Sequence, residues 1–440
     1  MEWLDLVPHD LMGRVDEFVR PVLMAIGGQR VRRLAQQYVY GLLGPGERKT
    51  AAPIAQRLAG AKEAPAFERR LRGMLCDEKW SHQGLMSAGA SRLVEQTGGW
   101  QARTLDDTAL LKQGRHSVGV ANQYAGCIDG LANCQVLVTM GVASEQVSAP
   151  CAARLFLPKS WEDDTQRRNE CHVPEHVRHQ PKWQIALSMV RRMDLDDLPR
   201  LPLLADSGYG VVTEFRVSLQ QMGHPYVVGM PLDTKVWRPG VVLAVPAPPG
   251  KGKPPTRLRP QGGEVPIDIK TLAKELPAAA WHRVCWRHGS RGPQWGRFAA
   301  LVVRPSHGFK GTSVAPQDLL EPEWLLVHWP DQEPEPTKAW MSNFPQDTPL
   351  VTLTAYARLR WRIERDYQEG KGLVGLDHYE GRTWHGLHHH VALVFLAQQY
   401  LALQRWQALD CARRAPAEPG WTPETPCAGP VGASQAPFPP

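Results

Sequence analysis

Residues 201–206 constrain the fold of this chain most, because an apolar segment typical of a buried strand ends directly at an acidic residue. The run is almost wholly apolar, Asp206 follows it directly, and Gly208 and Gly210 then supply a turn. Such a run is typical of a strand covered on both faces of a parallel sheet. In open α/β sheets, the carboxyl ends of these strands border the ligand crevice. Asp206 is therefore a candidate site residue, although an Asp that caps its own turn is the commoner interpretation of one such residue alone.

A second acidic position has a similar local context. Residues 103–105 predict a short strand that enters a turn at Asp106, and Asp107 follows immediately. Side chains of successive strand residues point to opposite faces of a sheet, so only one of this pair can reach a shared site. Both remain candidates at this point.

Glu364 is the third acidic candidate, and it lies on a predicted helix. Residues 353–370 contain no proline, and apolar side chains recur there at helical spacing. At roughly 100° per residue, Arg360 lies about 40° from Glu364, and Lys371 lies about 20° from it. The three residues would share one helix face. An ordinary solvated ion pair would give the same pattern.

Residues 360–371 resemble a known signature. Arg360, Glu364 and Lys371 match the Y-R-E-K motif of cut-and-paste insertion-sequence transposases of the DDE superfamily. The Tyr position of the motif is Ala357 here, with Tyr356 one place away, so that role is not transferred. The resemblance implies that Glu364 is the third catalytic acid and that Arg360 and Lys371 contact DNA phosphates.

Further segments resemble one group more closely, the insertion-sequence 701 family. They occur in the same order as in that family over about residues 70–400. They are Asp106-Asp107-Thr108, the segments 112–120, 122–124, 154–161 and 206–210, and Leu376-Asp377-His378-Tyr379-Glu380-Gly381-Arg382-Thr383-Trp384. The D-x-T turn of the family selects Asp106 over Asp107.

This resemblance implies a fold, a reaction and a set of ligands. The expected fold is α/β, with an RNase H-like catalytic core, a β-rich insertion and an N-terminal helical domain. Asp106, Asp206 and Glu364 would be catalytic and would hold two Mg²⁺ ions, for which Mn²⁺ can substitute, because hard oxygen ligands select these cations. The implied reaction is cleavage and strand transfer at the inverted-repeat ends of an insertion sequence. Double-stranded DNA, at the ends and at the target, would be the partner, with a homodimer on DNA.

The charge of the chain agrees with a nucleic-acid partner without requiring one. The formal net charge is +7 over 440 residues. Lys251, Lys253, Arg257 and Arg259 lie in the Pro- and Gly-rich segment 246–263, which we interpret as a flexible basic arm for the DNA backbone. A merely solvated loop is the alternative.

Composition and pattern also suggest how the chain is organised. We find no signal peptide or membrane-spanning apolar stretch in the sequence, and the resemblance implies a cytoplasmic, nucleoid-associated bacterial protein. Strands are predicted at 226–230 and near 298–303. Core packing is expected for the tryptophans of the insertion, which are Trp286, Trp295, Trp324, Trp329 and Trp340. His388, His389 and His390 are expected at the polar surface or against DNA. The predicted domains are a helical segment 1–95, core residues 96–230, the insertion 231–345, core helices 346–412 and a disordered Pro-rich tail 413–440.

The helical segment 1–95 can be a DNA-binding headpiece or a cap packed on the core, and its sequence does not decide between them.

Other functions of the whole protein fit the sequence pattern less well. The competing functions are a stand-alone RNase H-like nuclease and a non-catalytic DNA-binding protein derived from a transposase. A glycosidase would use two carboxylates but would leave the basic residues unexplained.

Overall fold

The protein is described as a computed structural model covering residues 9–248, 250, 252–289 and 292–414. These residues form two compact units. Unit 1 contains residues 9–200 and 361–414, and unit 2 contains residues 201–360. Lys251 and most of the predicted tail lie outside the described residues.

The helices and strands follow in chain order. The α-helices are α1 His9–Leu23, α2 Gln29–Leu43, α3 Ala51–Cys76, α4 His82–Gln96, α5 Thr165–Glu170, α6 Lys182–Leu195, α7 Ser207–Gly210, α8 Thr213–Gln221, α9 Ile269–Glu275, α10 Leu350–Leu359, α11 Trp361–Gly372 and α12 Trp384–Arg414. The strands are β1 Ala102–Leu111, β2 Ala121–Ala125, β3 Gly130–Ala143, β4 Ser148–Phe156, β5 Leu203–Ala205, β6 Tyr226–Met230, β7 Lys235–Trp237, β8 Leu243–Ala244, β9 Arg259–Pro260, β10 Ile267–Asp268, β11 His282–Gly289, β12 Gly292–Pro305, β13 Glu323–His328 and β14 Lys338–Ser342.

The sheet of unit 1 is antiparallel and central to that unit. Strand β3 pairs with β1, with β2 and with β4. The inner part of β3 is buried over ten consecutive residues, because helices cover it. α6 packs against β3 and β4, and α11 packs against β1 and β3. Of these two helices, α11 packs on the strand that carries Asp106.

The N-terminal helices belong to the same core as this sheet. One apolar cluster joins residues of α1–α4 with residues of β3, β4 and α12. Phe18 of α1 packs on Tyr400 of α12 with ring centroids 6.2 Å apart. The helical segment is therefore packed on the core, and whether its outer face also binds DNA stays a prediction.

The three consecutive histidines are buried, so the prediction that they lie at the surface or against DNA was wrong. His388 accepts a hydrogen bond from the Leu155 amide, and the Tyr38 hydroxyl lies 2.9 Å from Nδ1 of His390. His389 stacks on Trp80 with centroids 3.4 Å apart. Burial lowers the pKa of His388 to about 3 and that of His390 to about 4. All three side chains tie α12 into unit 1.

Unit 2 is built on β5 and β6, which are parallel, and β6 then pairs antiparallel with β14. From β14 the sheet continues through β13 and β12 to β7 and β10. The predicted strand 226–230 is confirmed at both ends, and the predicted strand 298–303 is the middle of the longer β12. Of the five tryptophans, Trp340 is buried as expected. Trp295 is 53% exposed, so core packing was the wrong expectation for it.

The single helix predicted over 353–370 is two helices. α10 ends at Leu359 in unit 2, and α11 begins at Trp361 in unit 1, with Arg360 between them. Arg360 keeps helical dihedral angles (φ −52°, ψ −30°), so the apolar spacing continues across the joint. Periodicity reports which side chains are buried and cannot detect this interruption. Arg360 therefore does not share a helix with Glu364.

No helix within the described ranges is both long and apolar enough to cross a membrane.

Candidate functional site

Asp106 faces the helix that carries Glu364. In the register of β1 and β3, Asp106 lies opposite Thr139, and cross-strand partners project on the same face of a sheet. Thr139 Oγ1 lies 2.6 Å from the hydroxyl oxygen of Tyr367 on α11. Burial raises the pKa of Tyr367 well above its usual value, and the nearby charge of Asp106 adds to the effect. The Asp106 side chain is thus on the α11 side of the sheet.

Asp107 points to the opposite face. Its Oδ2 lies 2.6 Å from Nζ of Lys182, at the beginning of α6. Since α6 and α11 pack on opposite faces, the strand alternation separates the two acids as the sequence predicts. Asp106 is therefore the acid of this pair on the side of α11, and its joint action with Glu364 stays a prediction.

Glu364 and Lys371 flank Tyr367 along α11. Glu364 is one turn before Tyr367 and is exposed, and Lys371 is one turn after it. Nζ of Lys371 donates a hydrogen bond to the Ala109 carbonyl oxygen at 2.9 Å, near the carboxyl end of β1. The exposed acid and the lysine therefore lie on the face of α11 that is turned to β1.

The opposite face of α11 is fixed by buried polar contacts. Ser148 Oγ donates to Oδ1 of Asp366 at 2.7 Å, and Gln398 Nε2 donates to the Asp366 carbonyl oxygen at 2.8 Å. Burial raises the pKa of the Asp366 carboxyl to about 7. Arg362 also donates to the carbonyl oxygen of Glu145. These contacts hold α11 against β4 and α12, and so fix the position of Glu364 relative to β1.

Sequence reasoning missed this support. Tyr367 is one of the side chains that recur at helical spacing in residues 353–370, and the sequence pattern assigned no role to Asp366. The available signal was weak: Asp366 is a charged residue on the buried side of the predicted helix. Its partner Ser148 is 218 positions away, and that contact cannot be read from a single sequence.

Asp206 lies in unit 2, where the chain leaves β5. It is the N-cap of α7, and its Oδ1 accepts a hydrogen bond from the Tyr209 amide at 3.3 Å. The capping interpretation is therefore correct in part. A carboxylate has two oxygens with several lone pairs, so capping by one oxygen is compatible with a metal bond to the other.

Gly210 explains how the turn after Asp206 packs. A Cβ atom on Gly210 would lie 1.9 Å from the carbonyl oxygen of Gly229 on β6. Only glycine allows α7 to approach β6 this closely. The sequence Asp206-Ser207-Gly208-Tyr209-Gly210 therefore places an acid at the end of β5 by backbone packing.

The segment predicted as a flexible basic arm, residues 246–263, is partly held to the rest of unit 2 by hydrogen bonds. Arg257 donates from Nε and Nη2 to Oγ and the carbonyl oxygen of Ser313, both at 3.0 Å, which ties it to unit 2. Arg259 lies in β9, which pairs with β8. Lys253 and Arg259 have exposed side chains. The prediction of a flexible arm was therefore wrong for Arg257 and Arg259. Of the four basic residues predicted to contact DNA, Lys253 and Arg259 are exposed within the described segment.

The donor set suits a hard divalent cation. All three candidate acids supply carboxylate oxygens, the ligand type that Mg²⁺ and Mn²⁺ prefer. Within the described part of the chain, no group of three His, Cys, Asp or Glu residues is placed to hold a metal ion. The residue types fit the metal, but the joint action of Asp106, Asp206 and Glu364 remains a prediction.

Comparisons with known proteins give the family. The profile described as DDE superfamily endonuclease matches residues 21–293, more than half of the chain. The chain therefore belongs to the DDE superfamily endonucleases, a class whose nucleases generally depend on divalent metals. The match includes Asp106 and Asp206 and ends before Glu364.

Two other comparisons do not narrow the family assignment further. No curated protein matches the chain. A solved structure described as a piggyBac transposase synaptic complex with hairpin DNA is similar with a TM-score of 0.37 and 9% identity, over 92% of this chain and 80% of that chain. We base no argument on a likeness this distant.

Proposed function

We propose that this endonuclease is a cut-and-paste DNA transposase of the insertion-sequence 701 type. It would cleave DNA at the inverted-repeat ends of its element and join those ends to a target. The observation that carries the proposal is the placement of Asp106 and Glu364. In a chain of the DDE superfamily, Asp106 lies opposite Thr139, whose hydroxyl contacts Tyr367, and Glu364 lies one turn before Tyr367 on the same helix.

The proposed chemistry follows from the charges of the three acids. Asp106, Asp206 and Glu364 would hold two Mg²⁺ ions, because carboxylates brought together repel one another unless cations neutralise them. Bound metal would make a water molecule or a DNA 3′-hydroxyl a better nucleophile and stabilise the leaving oxygen. The protein would then contribute position and charge and would need no nucleophile of its own.

The basic residues would position the DNA strand. Lys371 lies near the end of β1, where a turn of its flexible side chain would exchange the Ala109 carbonyl for a phosphate oxygen. Arg360 would contact a phosphate from the joint between α10 and α11. Lys253 and Arg259 would add contacts that do not depend on base sequence, and we propose the same for Lys251. We further propose that a homodimer holds the two element ends.

An excision assay tests this function. The ends of the element are first located as short imperfect inverted repeats that bracket the gene inside a small target duplication. A plasmid carrying these ends is then incubated with the protein and Mg²⁺, and excised and joined products are measured. A transposase gives both products, and a stand-alone nuclease gives cleavage without joining. Absence of both products would leave a non-catalytic DNA-binding protein and contradict the proposal.

Tyr367→Phe is expected to slow cleavage several-fold while leaving DNA affinity unchanged. The substitution removes the hydroxyl that contacts Thr139, beside Asp106, and keeps the ring. The lost hydrogen bond should cost about 1 kcal/mol, or about 2 °C in the unfolding midpoint of a unit of this size.

Tyr356→Phe is the matched control for this change. Tyr356 packs edge-on against Phe344 in unit 2, and no described residue hydrogen-bonds its hydroxyl. The control should leave both cleavage and stability nearly unchanged. Equal cleavage rates for the two variants would show that Tyr367 does not help to place the acids.

A further inference from the structure

A polar groove of about 670 Å³ lies between α2 and α3 in unit 1. Arg30 and Arg33 line it from α2, and Arg70 lines it from α3. The side chains of Gln29 and Gln37 add hydrogen-bond donors at the same groove. Its apolar base consists of Leu34, Leu58 and Phe67.

The charge of this groove is unbalanced. The three arginine side chains are exposed, and Glu63 is the one carboxylate among the lining residues. No described residue forms an ion pair with Arg30, Arg33 or Arg70. Positive charges held close together repel one another, and an anion that enters between them removes this cost.

We propose that this groove, formed by the basic rim of α2 and α3, binds the phosphate backbone of duplex DNA. The inference rests on the proposed function for the identity of the anion, and it adds a contact surface that the catalytic residues do not supply. Planar guanidinium groups bind phosphate oxygens through two parallel hydrogen bonds, which suits arginines arranged on two helices. The contacts would be to the backbone, so they would position DNA without reading its sequence.

The shape of the groove argues against a small anionic ligand. Sites for small molecules usually enclose most of their ligand and are lined mainly by apolar groups, with a few polar ones. Here the guanidinium groups are on an open rim, and the apolar residues form only the base. An extended polyanion can contact all three arginines together from the solvent side.

The position of the groove links DNA binding to the catalytic unit. α2 and α3 share an apolar core with α12 and the β3–β4 strands. Asp106 and Glu364 belong to the same unit. DNA that is bound in the groove is therefore attached to the body that carries two of the three proposed catalytic acids.

The test uses the full chain and a short fluorescein-labelled duplex of arbitrary sequence. Binding is followed by fluorescence anisotropy over a series of salt concentrations. Arg33→Gln combined with Arg70→Gln should reduce the slope of log affinity against log salt by about 1.8, because each phosphate contact contributes about 0.9. At about 0.1 M salt the affinity should fall at least tenfold.

Lys62→Gln combined with Arg69→Gln is the matched control. It removes the same charge from exposed positions on α3 that do not line the groove. This variant should keep most of the slope. Equal losses in the two double variants would show that net charge alone matters, and would overturn the proposal. Glu63→Gln should tighten binding, and unchanged binding there would also count against it.

The outcomes separate this inference from the proposed function. If the groove variant binds DNA like the wild type while Asp206→Asn abolishes cleavage, only the groove proposal fails. If the groove variant loses slope as expected but the wild type shows no metal-dependent cleavage, the groove stands and the transposase proposal fails. Unfolding midpoints equal to that of the wild type confirm that the exposed substitutions leave the fold intact.

Discussion

Asp106→Asn should lower the rate of metal-dependent DNA cleavage by about three orders of magnitude, equivalent to roughly 4 kcal/mol of transition-state stabilisation. Asparagine keeps the size of the side chain but removes the charge that holds a divalent cation. Asp107→Asn should retain most of the activity, because Asp107 faces α6 and forms its ion pair with Lys182. Single-turnover cleavage of a labelled element end measures both rates.

Asp107→Asn is a closely matched control for Asp106→Asn. Both variants lose one carboxylate from the same strand and the same local sequence, and they differ only in the face of the sheet. DNA affinity, measured without metal, should change little in either variant. Loss of cleavage in Asp107→Asn with activity retained in Asp106→Asn would reverse the assignment. Equal losses would mean that the ion pair to Lys182 is needed to hold β1, which Lys182→Gln would then reproduce.

Gly210→Ala should destabilise unit 2 by about 3 kcal/mol and abolish cleavage. The added methyl group would lie 1.9 Å from the Gly229 carbonyl oxygen, a backbone atom that cannot rotate away. Overpacking of this kind usually costs about 1–3 kcal/mol, and a clash with backbone belongs at the upper end. Relief of the clash would move α7 away from β6, and with it Asp206, which caps α7.

Urea unfolding and the cleavage assay measure the two effects. Gly250→Ala is the control within the same unit, because nothing lies within 4 Å of its added Cβ. It should be close to wild type in stability and activity. A Gly210→Ala protein with the stability of the wild type would show that α7 does not pack on β6 as described. Retained cleavage by a destabilised variant would separate the turn from the function of Asp206.

Local sequence patterns predicted β5 and β6 correctly, but the turn predicted at Asp106 was wrong, because β1 runs through Asp106 and ends at Leu111. The apolar run before Asp206 predicted β5, and strand β6 was predicted with both of its ends. In each case a short apolar segment is bounded by turn residues, which is the strongest local signal for a strand. The choice of Asp106 over Asp107 as a catalytic acid came from a family resemblance and stays a prediction.

Long-range contacts explain where the predictions were wrong. The interruption at Arg360 leaves the apolar spacing intact, so no periodicity could reveal it. His388, His389 and His390 are polar residues in sequence, but hydrogen bonds such as those to Leu155 and Tyr38 make their burial tolerable. The partners are hundreds of positions away. A single sequence carries no information on such pairs, and the same holds for Asp366 and Ser148.

The last long helix has a consequence for how the chain can be made. α12 is buried among α1–α4, so the first 200 residues cannot complete their core until residues 361–414 leave the ribosome. The 160 residues between them take roughly 8–32 s to synthesise at about 5–20 residues per second. During that interval the nascent N-terminal helices expose apolar faces that later meet α12. Premature termination before residue 384 should therefore give a product that aggregates, because these apolar faces stay uncovered.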